Sequence, residues 1–144
     1  QELWGQYYEG LGNYYLHTSQ ARLAYDAFTQ AREFAVEHVG WTNHITNLIA
    51  RCLLVLGDFD QTLTLLSSFP EDNNAEFSLH SVERNLIKAE CYWRIGNIEQ
   101  AKKNLMSTEA MMRGVLEQPE LESHLGTLNR LHNLIDQDKS VGHT

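Results

Sequence analysis

Three times along the chain a small residue on an apolar-periodic stretch is followed twelve positions later by another. Gly12 is followed by Ala24, Ala50 by Thr62 and Ala89 by Ala101. Small side chains recurring in this phase let two helices of a hairpin approach closely, while a bulkier neighbour fills the space toward the next hairpin. A chain with this regularity is constrained to stack similar units, so the period has to be found before any other feature is interpreted.

Around each pair the same frame recurs. The first copy runs Tyr8-x2-Leu11-Gly12-x2-Tyr15, then Ala24-x3-Phe28-x2-Ala31. The second runs Thr46, Ile49, Ala50, Leu53, then Thr62, Leu66, Phe69 with Pro70 behind it. The third runs Asn85, Ala89, Tyr92, then Ala101, Leu105, Thr108. The turns keep the register. Gly57-Asp58-Phe59-Asp60-Gln61 and Gly96-Asn97-Ile98-Glu99-Gln100 each place a Gly where a helix stops in the left-handed conformation. Each then places Asp or Asn as an N-cap for the next helix. In the first copy the equivalent place reads Thr18-Ser19-Gln20, which leaves the capping to Ser or Thr.

This frame resembles the tetratricopeptide repeat, W-x2-L-G-x2-Y followed by A-x3-F, with Tyr8 in place of the Trp. The resemblance covers roughly residues 5 to 110, and the second and third copies depart from it at their aromatic and Gly positions. The copies lie 38 and 39 residues apart, against 34 for the usual unit, so about one extra helical turn or a longer connector is expected in each. The resemblance implies an all-α fold: an α-solenoid of about three helix-turn-helix repeats (5–40, 43–76 and 82–116) and a C-terminal capping helix over 118–138. Together they make a single domain over 1–138, with a flexible tail at 139–144.

Element by element, helices are expected at about 2–17, 20–38, 42–56, 59–69, 78–95, 98–116 and 118–138. Pro119 suits the first turn of the last, and Leu121, Leu125, Leu128, Leu131 and Leu134 set one apolar stripe along it. The stretch from Ser67 to Asn74 is the one clear loop signal.

Composition narrows the function. The 144 residues are 42% apolar and 21% charged, with 11 Lys and Arg against 19 Asp and Glu. The resulting net charge of -8 repels phosphate backbones and anionic lipid, so no direct nucleic-acid or membrane partner is expected. No run of about 18 apolar residues exists to span a bilayer, and the first residues lack the basic start and apolar core of a signal peptide. The absence of an initial Met suggests a piece of a longer protein. Cys52 and Cys91 stand 39 residues apart at equivalent repeat positions, outside disulfide range for stacked helices. Two separate thiols in a reducing, cytoplasmic setting are expected.

Signals for chemistry are weak. The seven His show no HExxH or similar pairing, and no GxSxG, GxGxxG or GxxxxGK[ST] occurs. The carboxylates read as solvated helix faces. No enzyme activity, cofactor or metal site is expected. In tetratricopeptide arrays the first helix of each hairpin lines a concave groove. The resemblance places Gln6, Glu9, Asn13, Leu16 and His17 there in the first unit. It adds His44, Asn47, Arg51 and Leu54 in the second, and Glu83, Leu86, Glu90, Trp93 and Arg94 in the third.

The binding residues expected from that set are Glu9, Asn13, His17, Asn47, Arg51, Leu54, Glu90, Trp93 and Arg94. The family's Lys clamp for terminal carboxylates is missing, with Glu9, His44 and Glu83 standing in its place. A basic or neutral protein segment is therefore the expected partner. The array ends offer a route to homo-oligomers. An alternative is the effector-sensing part of a larger transcriptional or signalling regulator, binding a small ligand or signal peptide.

Overall fold

The computed structural model describes residues 2–68, 79–113 and 122–141. Among them are seven helices and no strand: α1 Glu2–His17, α2 Ala21–Phe34, α3 Val39–Val55, α4 Phe59–Ser67, α5 Leu79–Arg94, α6 Ile98–Arg113 and α7 Glu122–Val141. The all-α expectation holds. The chain divides into two compact units, Gln1–Phe69 with α1 to α4 and Pro70–Thr144 with α5 to α7. None of the described helices is long and apolar enough to cross a membrane.

The small residues that set the period are all buried: Gly12, Ala24, Ala50, Thr62, Ala89 and Ala101. Gly12 shows why. A Cβ built on it would stand 2.5 to 2.9 Å from the ring of Phe28, which is itself fully buried, so the ring occupies the space a side chain would need. Phe28 lies on the inner face of α2 with Ala21, Ala24, Ala27 and Ala31, at helical spacing. That face of small residues lets α2 pack against both α1 and α3. The core of this unit adds Ile45, Ile49, Cys52 and Leu53 from α3.

The hairpin turns repeat in atomic detail. Asp58 N–H donates to Leu53 O (2.9 Å) and Gly57 N–H to Leu54 O (3.1 Å). At the third turn, Asn97 N–H donates to Tyr92 O (2.8 Å) and Gly96 N–H to Trp93 O (3.1 Å). Gly57 and Gly96 take φ of 82° and 88°, the left-handed stop of a Schellman motif. The first turn uses the same pair of bonds, from Gln20 to Tyr15 O and from Ser19 to Leu16 O, with Ser19 at φ 61° where the other turns have Gly. Asp58 and Asn97 then cap the following helices, accepting from Gln61 N–H and Gln100 N–H at 3.3 Å each. Thr62 and Thr108, fully buried, turn their hydroxyls back onto Asp58 O and Asn104 O, which satisfies them inside the core.

Two helix ends differ from the sequence reading. α2 stops at Phe34 rather than near 38, and α3 begins at Val39 rather than 42. The link between them is fixed by Thr42, whose hydroxyl donates to Ala35 O at 2.5 Å while its N–H donates to His38 O. A first-turn residue of α3 thereby closes the end of α2, a tertiary cap with no local sequence signature. In the second unit α7 runs to Val141, past the expected end, and Leu128, Leu131 and Ile135 join Val82, Leu86, Ala89, Ala101, Leu105 and Met112 in the core. Leu125 and Leu134 pack against that cluster as the stripe requires. Pro119, Leu121 and the loop beyond Ser68 lie outside the described residues.

Candidate functional site

The early start of α3 places Trp41 in its first turn, where the side chain reaches α1. A Cβ on Gly5 would meet Trp41 Cη2 at 2.5 Å, so the missing side chain at Gly5 is what admits the indole. One turn further along α1, Glu9 Oε1 accepts a hydrogen bond from Trp41 Nε1 at 2.6 Å. Gly5 and Glu9, four residues apart and on one face of α1, receive the ring and its N–H respectively. His38 lies on Trp41 as well, ring centroids 5.9 Å apart at an interplanar angle of 56°.

Beside this joint is an open hollow of about 560 Å³, lined by Gln6, Glu9, His38, Trp41 and His44. Three of its five residues, Gln6, Glu9 and His44, are positions assigned to the concave groove by the tetratricopeptide resemblance. None of the five is Lys or Arg. Asn13 and His17 continue the line of Gln6 and Glu9 along α1, both exposed, and Arg51 is exposed on α3.

The other expected binding residues sit differently. Asn47 and Leu54 are 1% and 4% exposed and belong to the interior rather than to an open groove. In the second unit Glu90 is held by Arg130 of α7 at 2.6 Å and has Arg94 at 4.0 Å. Glu83 likewise meets His124 of α7 at 3.7 Å, and Trp93 packs against the buried cluster that α7 completes. On α5 most of the expected groove face is thus spent on the last helix, and Arg94 is its exposed remainder.

Sequence reasoning missed His38 and Trp41, because it ended one helix on His38 and began the next after Trp41. The available signal was spacing: Trp41 lies three residues before His44, on the same side of any helix that includes both.

A second depression, about 340 Å³, opens on another side of α3. Its lining includes Ile49, Leu53, Tyr25 and Leu65, with Arg32 from α2 and Asp60 from α4. The outer side of α1 leaves Leu3, Trp4, Tyr7 and Tyr14 exposed. Cys52 and Cys91 are buried and neither is in a disulfide. Burial pushes the Cys52 thiol up to about 11, an effect that neighbouring Arg51 only partly offsets.

No family model matches the chain, and no curated protein or solved structure shows significant similarity to it.

Proposed function

We propose that the chain is a protein-interaction module built of tetratricopeptide-like hairpins, holding a peptide or a segment of a partner protein in the hollow between α1 and α3. The observation that carries this reading is the convergence of Gln6, Glu9 and His44 with Trp41 around one open depression. Three hairpin turns with one pattern of cap bonds support the repeat assignment, and they do so without reference to side-chain identity.

The site has the composition of a recognition surface. A fixed aromatic supplies contact area at low entropic cost, and a ring of polar groups supplies direction. Repeat scaffolds suit such a role because the surface residues vary independently of the packing positions. The net charge of -8 and the lack of Lys or Arg among the described residues of the hollow favour a basic or neutral segment. Two thiols outside any disulfide suit a reducing, cytoplasmic setting. The exposed Leu3, Trp4, Tyr7 and Tyr14 of α1 form an apolar surface that suits association of two copies.

The test is selection of binders from a displayed peptide library, followed by titration against Gln6→Ala and His44→Ala, substitutions that leave the Glu9–Trp41 bond in place. Selected peptides should bind both variants at least several-fold more weakly at a temperature where circular dichroism shows each variant folded. Undiminished affinity for both would refute the assignment.

The depression at Ile49 and Leu53 favours a second reading, the effector-sensing part of a larger regulator. Its volume falls within the roughly 300–1,000 Å³ of small-ligand sites, and it combines an apolar floor with Arg32 and Asp60. A thermal-shift screen of metabolites separates the readings. A small ligand that stabilises the wild type, and not Arg32→Ala, would establish this one.

A further inference from the structure

We infer that the hollow between α1 and α3 recognises an arginine side chain of the partner, a statement that rests on the interaction-module reading and specifies its anchor.

Glu9 supplies the negative charge. Its Oε1 is occupied by the Trp41 indole, which fixes the carboxylate in place, and no protein donor among the described residues takes Oε2. A half-buried carboxylate held by one oxygen and open at the other is preorganised for an incoming charged donor. The lining sets the indole of Trp41 beside that carboxylate, and Gln6 on α1 lines the same hollow. Among the described residues of the lining there is no Lys or Arg.

A guanidinium has the chemistry that suits such a lining. Its planar face stacks on an aromatic ring, and its fork of N–H groups reaches a carboxylate oxygen and an amide oxygen together. An ammonium is a compact, strongly hydrated point charge that satisfies the carboxylate and stacks less well, so lysine is the weaker occupant. A neutral urea side chain of the same shape keeps the stacking and loses the charge-assisted bond.

The chain contains three Trp, at positions 4, 41 and 93, so three indole N–H resonances report separately in a ¹H–¹⁵N spectrum. The probes are N-acetyl-L-arginine methylamide, the matching lysine compound and the matching citrulline compound, titrated into the full chain. The expected result is a saturable shift of the Trp41 indole resonance with the arginine probe. The lysine and citrulline probes should each act at least several-fold more weakly, and the Trp4 and Trp93 resonances should stay in place.

Glu9→Gln is the discriminating variant, because its amide oxygen still accepts from the indole while the charge is gone. With a spectrum as dispersed as wild type, it should bind the arginine probe about tenfold more weakly, the loss of one charge-assisted hydrogen bond at a partly exposed site. Equal response to arginine and citrulline, an unmoved Trp41 resonance, or unchanged affinity in Glu9→Gln would each overturn the inference. Library peptides that lack arginine yet depend on Gln6 and His44 would also overturn it, while leaving the interaction-module reading standing. If the library gives no binder that depends on those residues, that reading fails as well.

Discussion

Trp41 Nε1 donates to Glu9 Oε1 across 2.6 Å, tying the first turn of α3 to the middle of α1. The bond has two separable parts, a hydrogen bond and a charge. Glu9→Gln should therefore leave stability within about 0.5 kcal/mol of wild type, whereas Glu9→Ala should cost about 1–2 kcal/mol by leaving the indole N–H without its acceptor. Urea denaturation followed by circular dichroism measures both. Equal losses in the two variants would mean that the charge, not the bond, braces the helices.

The two glycines in the middle of α1 should respond in opposite directions. Gly10 has nothing within 4 Å of an added Cβ, so Gly10→Ala gains helix propensity and should stabilise by about 0.5–1 kcal/mol. Gly12→Ala gains the same propensity but drives a methyl into the buried Phe28 ring, an overpacking that costs about 1–3 kcal/mol and outweighs it. The denaturation midpoints of the pair check the sign of each.

How far the sequence discloses the molecule is clear at these positions. Gly12, Ala24 and Phe28 carry a close approach that only small residues permit, and such positions leave a periodic trace in the chain. Gly57 with Asp58 and Gly96 with Asn97 are equally legible, because stop and start chemistry is local. Thr42 closing α2 through Ala35 O is not legible, since that bond depends on where two helices meet. The same hidden contact moved the start of α3 and with it Trp41, so the spacing pointed to Gln6, Glu9 and His44, and to Trp93 on α5, but not to Trp41. Asn47, Leu54 and Glu90 occupy the expected face by spacing, yet spacing alone does not say which stretch of a face another helix will cover.

The caps give a third prediction. Ser19 holds a φ of 61°, a region that costs a residue with a Cβ roughly 1–2 kcal/mol and costs Gly little. Ser19→Gly should stabilise by up to about 1 kcal/mol, and Gly57→Ala and Gly96→Ala should destabilise by about 1 kcal/mol each. Thermal melting of the three variants at one scan rate is sufficient.

The Cys52 thiol supplies a pH dependence. Burial raises its folded pKa from the ordinary value near 9 to about 11, so the folded state favours the protonated thiol. The stability this contributes is complete below about pH 9 and is lost as pH rises toward 11. The urea midpoint should fall over that window, and the fall should be shallower in Cys52→Ala. At pH 8, Ellman's reagent should modify Cys52 no faster than the chain opens.

The central claim is that the hollow between α1 and α3 is the surface through which the molecule works. Its most direct test is a chemical-shift map of the ¹⁵N-labelled chain with the tightest peptide from the displayed library. The account predicts that perturbations gather at Gln6, Glu9, His38, Trp41 and His44 and extend along α1 toward Asn13 and His17. A map centred instead on Tyr25, Arg32, Ile49 and Asp60, or on α5 to α7, would contradict it.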